Sequence, residues 1–184
     1  MTSTHTIRTL RSAVAVLALA LAGLAFGAAT NAATAESSAT HDGQRLVVRG
    51  DATVTDAPCE AGVCQLQLTD GAFRGTIGTG AYDGAIKLGI AEAFENGEGG
   101  VCAPIQGQIT LGTGSPDRLV LALSGDSCQD GAGDPRTSSF TGLARFTVKH
   151  GTGAYAKAHG SGLASFSEDA ADHERMTLIG RISR

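Results

Sequence analysis

The chain has 184 residues, of which 42% are hydrophobic and 17% charged, with 26 glycines and no tryptophan. That balance excludes a disordered, collagen-like or coiled-coil chain and predicts one globular domain of moderate size. A net charge of −4 at pH 7 gives no basic footprint for phosphate backbones, so no nucleic-acid partner is expected.

Residues 1–35 read as a cleavable secretory signal peptide. Arg8 and Arg11 form a positive start, Ala13 to Ala29 an apolar run, and Ala33-Thr34-Ala35 a small-residue cleavage site before Glu36. The run is at the lower limit for a membrane span and no basic stop-transfer cluster follows it, so no stable membrane insertion is expected after cleavage. Removing 35 of 184 residues leaves 149, and since two arginines and no acid leave, the charge goes from −4 to −6. The reading is therefore a secreted, extracellular, acidic chain with a single domain over 36–184.

Within that domain the first strand is expected near 45–49. Arg49-Gly50-Asp51 at its end is an integrin-type tripeptide that this composition explains by chance. Cys59 and Cys64 follow, and with Cys102 and Cys128 they make four cysteines, an even number suited to disulfides in an oxidising compartment. Three pairings are possible. Cys59–Cys64 with Cys102–Cys128 is favoured because the first pair closes a tight loop. No C-x-x-C pair exists and the histidines are scattered, so neither metal nor cofactor is expected.

Gln65-Leu66-Gln67-Leu68-Thr69 alternates strictly, and a further stretch lies near 73–78. Gly78-Thr79-Gly80 misses the spacing of a phosphate-binding loop and reads as a hairpin turn, with Tyr82 packing over it. Over 84–94, Ile86, Leu88, Ile90, Glu92 and Phe94 fall on one face. If that face points inward, Glu92 is an ionisable group among apolar neighbours and a candidate general acid or base; the alternative is a wet rim beyond a bend at Gly89.

Ile105, Gly107, Ile109 and Leu111 share the next oily face, and Leu119, Leu121 and Leu123 the one after. Asp126, Asp130 and Asp134 carry oxygen ligands but lack EF-hand spacing, so no calcium site is assigned. Phe140, Phe146 and Val148 mark another strand, and Gly151-Thr152-Gly153 another turn under Tyr155. The stretch near 160–167 opens at His159, a second candidate proton-transfer residue, though a solvated strand start explains it as simply. The acidic run from Glu168 to Glu174 reads as a solvated hairpin loop, before a strand with Met176, Leu178 and Ile182 inward.

The count is eight or nine strands and no helix, which fits an all-β antiparallel barrel or a sandwich; an eight-stranded barrel has an interior just wide enough to be filled by side chains or to hold one small ligand. The pentapeptide starting at Gly78 recurs at Gly151, and this offset of 73 gives 15 identities over the 65 positions from 45 to 109. Composition alone would give roughly five, so two pseudo-repeated halves, about 45–109 and 118–182, are expected.

Ser139-Phe140-Thr141-Gly142, Phe146-Thr147-Val148, Gly151-Thr152-Gly153-Ala154-Tyr155 and Ala158-His159-Gly160-Ser161-Gly162 together resemble the hairpin of the allene oxide cyclase-like and dirigent-like barrels. The likeness covers roughly 139–182 and extends to small secreted actinobacterial proteins of that barrel type. It implies an eight-stranded barrel and, more remotely, cyclisation or steering of an apolar substrate.

Three functions follow as expectations. One is a binding module for a small apolar or amphipathic molecule in or at the barrel, with Tyr82 and Tyr155 as candidate ligand-binding residues. Another is a cyclase or isomerase using Glu92 or His159, and the last a structural, envelope-associated protein with a filled core.

Overall fold

Period-two alternation gives every segment one oily side, and antiparallel neighbours joined by short turns bury those sides together. The computed structural model describes residues 43–56, 59–97, 99–130 and 139–184; the signal-peptide reading and Asp134 lie outside them. The strands are β1 (Gln44–Asp56), β2 (Val63–Gly75), β3 (Gly78–Gly89), the short β4 (Phe94–Glu95), β5 (Val101–Thr113), β6 (Leu119–Gln129), β7 (Phe140–Gly151), β8 (His159–Glu168) and β9 (His173–Ser183). Each long strand pairs antiparallel with the next, β3 pairs with β5, and β9 returns to β1. The result is a closed, eight-stranded up-and-down barrel without a free long edge.

Side chains fill it. Leu46 and Val48 from β1, Ile109 from β5, Leu121 from β6, Phe146 from β7 and Leu178 from β9 are fully buried in one core. An eight-stranded barrel is just wide enough for such a filling. Each of these large side chains stabilises the fold by about 1.5–3 kcal/mol through removal from water.

The sequence shows two stretches, 65–69 and 73–78, where the structure runs one strand from the first through Gly75 and then turns at Thr76 and Ile77. Leu66 and Leu68 sit at even positions and Phe73 at an odd one, yet all three turn inward. A bulge reconciles them: the register with β3 shifts between Leu68 and Gly71 and that with β1 between Thr69 and Ala72, with Asp70 at φ 54°. One extra residue flips the parity of everything after it.

Both disulfides fall at the same end of the barrel. Cys59–Cys64 brackets a two-residue turn, Ala61-Gly62, in which both φ are positive (49° and 78°) and Glu60 and Val63 exchange backbone bonds, as a primed hairpin turn requires. Cys102–Cys128 links residues directly opposite each other on β5 and β6. The favoured pairing is the observed one, and such bonds persist in a non-reducing environment.

The two halves agree in part. Val48↔Gly75, Arg49↔Arg74, Gly50↔Phe73 and Asp51↔Ala72 on β1–β2 become, 73 residues on, Leu121↔Val148, Ala122↔Thr147, Leu123↔Phe146 and Ser124↔Arg145 on β6–β7. The pentapeptides do not share a structure. Gly78 to Tyr82 opens β3, after a turn made by Thr76 and Ile77, whereas Gly153 to Tyr155 forms a short 3-10 turn between β7 and β8.

Candidate functional site

The barrel has two chemically different ends. At one, the β2–β3 turn, the β5–β6 loop and the β7–β8 loop surround a recess of about 230 Å³. Its apolar wall includes Phe73, Ile77, Leu111, Leu119 and Tyr155, and Thr79, Thr113, Ser115 and Asp117 supply polar groups. The rim is braced by hydrogen bonds. Thr152 Oγ1 donates to Pro116 O (2.6 Å) and accepts from Arg118 N (3.1 Å), and Asp117 Oδ1 accepts from Ala154 N (2.8 Å). Tyr155 is buried; Arg184 lies over its ring, 4.7 Å from the centroid. Its hydroxyl donates to Ile77 O at 3.4 Å.

The opposite end carries a pair of acids. Glu168 on β8 and Glu174 on β9 are direct cross-strand partners, and both line a cavity of about 30 Å³ with Ser127, Phe140 and Phe166. Glu174 is only 5% exposed, and its Oε1 has no hydrogen-bond partner. Burial, with the Glu168 carboxylate adding to it, raises its carboxyl from the usual 4.5 to about 8. Glu174 therefore holds a proton at neutral pH. Asp169, in the exposed turn beside the pair, shifts the other way because the backbone N–H groups of Ala171 and His173 donate to its carboxylate.

Between the ends, Tyr82 lies inside the barrel. Its ring packs where Gly50 and Gly71 leave room: a Cβ would fall 2.8 Å from the ring at Gly50 and 2.6 Å at Gly71. The hydroxyl is buried without a partner, and desolvation first, then the charges of Glu174 and Asp51, push its ionisation above the ordinary phenol range.

The structure places Glu92 and His159 on the solvated side of the two readings open for each, and it corrects the placement of Tyr82. Glu92 does not continue the inward face of β3. That strand ends at Gly89, and Ile90–Glu92 form an exposed 3-10 turn held by Ala91 N donating to Gly62 O (3.0 Å). Glu92 is exposed there, with Ile90 and Phe94. His159 opens β8 on its outer face, exposed along with Ser161, Leu163 and Ser165, while Ala164 and Phe166 turn inward. Neither residue lines either cavity. Tyr82 is a core residue rather than a cover for a turn, so of the two candidate ligand-binding tyrosines only Tyr155 reaches a cavity.

Sequence reasoning missed Glu168 and Glu174 by assigning the whole acidic run to a loop; only 169–172 is loop. The parity of Met176 and Leu178, carried back one more step, lands on Glu174 and was the available signal.

Asp130 is tied up by the hydroxyls of Ser139 and Thr141, each at 3.0 Å. Among the described residues no cluster of three or more His, Cys, Asp or Glu is placed to hold a metal, and no helix is long and apolar enough to cross a membrane. No family model, curated protein or solved structure matches the chain.

Proposed function

We propose that this protein is a secreted binding module that takes a small amphipathic molecule at the Tyr155 end of a filled barrel. The recess of about 230 Å³ carries this reading. Its floor is a narrow strip of buried core side chains, Phe73, Leu111, Leu119 and Tyr155, and its rim is hydroxyls and a carboxylate, a combination suited to a ligand with one greasy and one polar side. Binding is at the barrel and not within it, because the interior is occupied by side chains. The leader-like first 35 residues and the two disulfides support export. The closed eight-stranded barrel supports the resemblance to allene oxide cyclase-like and dirigent-like proteins at the level of fold. It lends no support to a cyclase acting through Glu92 or His159, both of which face solvent.

Native mass spectrometry of the purified protein tests the reading. A retained small molecule, lost when Thr113→Trp fills the recess, is the expected result; repeated ligand-free spectra from several expression media overturn it.

A second reading has one observation in its favour. The filled core, with Leu143, Leu163 and Ile179 exposed on the outer face of β7–β9, suits a structural, envelope-associated protein that works through its surface. That reading predicts self-association or sedimentation with envelope material, and no retained ligand.

A further inference from the structure

The acid pair at the Glu174 end is costly to maintain. Two acids directly opposite on neighbouring strands repel if both ionise, so one is held neutral, and a buried carboxyl oxygen without a partner carries an uncompensated desolvation penalty. Yet the barrel turns both carboxyls to one small cavity instead of outward. We propose that this cavity seats the ammonium group of a small primary alkylamine, held between Glu168 and Glu174, with the alkyl chain against Phe140 and Phe166.

Three observations support that chemistry. Glu174 Oε1 is a buried acceptor without a hydrogen-bond partner, and an ammonium carries three N–H donors together with a charge that favours the ionised form of the Glu174 carboxyl. The cavity of about 30 Å³ admits a group little larger than a water or two, which fits a head group and excludes a bulky cation. Its walls are otherwise largely apolar, with Leu66, Ile86 and Ile105 completing them, so the carbon next to the ammonium meets apolar surface, where a free hydrated ion does not fit, and the rest of the chain, too large for the cavity, stays at its mouth. The described residues also lack the third acidic or imidazole ligand that a divalent metal would take.

The titratable groups facing Glu174 are Glu168 from β8 and the Tyr82 phenol from β3, while β1 sets Ala52 opposite it and β7 contributes only Phe140 and Gly142 to the cavity. His173 and Arg175 flank it on β9 and are exposed. At neutral pH Glu174 is protonated, so an arriving ammonium displaces that proton to solvent: the protonated acid and the alkylammonium give the ion pair and one released proton. Binding therefore strengthens as pH rises toward and past 8.

Calorimetric titration of the intact protein with n-butylammonium chloride, at pH 6 and pH 8.5, tests the site; the probe stays cationic at both. Tenfold or more tighter binding at pH 8.5 is expected, with no binding of 1-butanol, loss of binding in Glu174→Gln and unchanged binding in the surface control Glu92→Gln. Equal affinity at the two pH values, equal affinity for the alcohol, or no binding at tens of millimolar overturns the proposal. Those readouts need no variant, so a poorly folding Glu174→Gln does not shield it. The recess at the Tyr155 end is a separate site, and failure at one end leaves the other untouched.

Discussion

Glu168 and Glu174 are direct partners across β8 and β9, one half-buried and the other 5% exposed, at the end of a hairpin closed by residues 169–172. Facing Glu168 and out of water, the Glu174 carboxyl keeps its own proton well above the usual carboxylate range. The Glu174 carboxyl is raised to about 8 by burial and by Glu168, so the folded barrel retains a proton that the unfolded chain gives up near 4.5. Stability is then full below pH 4.5, falls as pH rises through 4.5 to 8, and loses on the order of a few kcal/mol across that window. Urea unfolding from pH 4.5 to 9 checks this. Glu174→Gln is expected to flatten the fall and to be the more stable protein above pH 8; a parent whose stability rises across the window contradicts the assignment.

Tyr82 leaves its hydroxyl unpaired inside the barrel. Removing an unsatisfied buried group without opening a cavity costs little or helps. Tyr82→Phe is expected to unfold at the same temperature as the parent or higher, by up to about 1 kcal/mol of added stability. A loss of more than that in thermal unfolding means the hydroxyl has a partner.

Gly71 lies against the same ring. A methyl there would fall 2.4 Å from the Tyr82 carbonyl oxygen and 2.6 Å from the ring. Backbone cannot yield as a flexible side chain does, so Gly71→Ala is expected to cost about 3 kcal/mol or more, or to prevent folding. Pairing it with Tyr82→Ala, which removes the ring but not the carbonyl, should restore little.

The two disulfides close loops of very different length, with separations of 5 and 26 residues. Chain entropy makes the longer one worth about 3.5 kcal/mol and the shorter about 2 kcal/mol. Replacing Cys102 and Cys128 by serine is thus expected to lower the denaturation midpoint more than replacing Cys59 and Cys64. The reverse order would place the stabilisation in the native β1–β2 turn instead of in the unfolded chain.

The barrel was legible because alternation is a local signal: Leu119, Leu121 and Leu123, or Met176 and Leu178, declare their inward side without knowledge of any neighbour. The disulfide pairing followed from reach. What escaped depended on where strands stop. Ile86, Leu88, Ile90, Glu92 and Phe94 keep perfect parity, yet the chain must turn at the barrel's end, and Ala91 bonding to Gly62 across 29 positions of sequence ends the strand first. The two copies of Gly-Thr-Gly-Ala-Tyr diverged for a similar reason. Which loop each copy meets is decided by the strands around it, so Tyr82 became core while Tyr155 became the wall of a recess. Acid-rich sequence looks solvated in isolation, and only the pairing of β8 with β9 turns Glu168 and Glu174 inward.

Docking of a small amphipathic molecule at the Tyr155 end is open to backbone amide NMR during titration with 1-hexanol. Saturable shifts confined to Gly80, Thr113, Ser115 and Tyr155, with residues 168 to 174 unmoved, are the predicted result. Absence of saturable shifts at that end, up to the solubility of the alcohol, would contradict it.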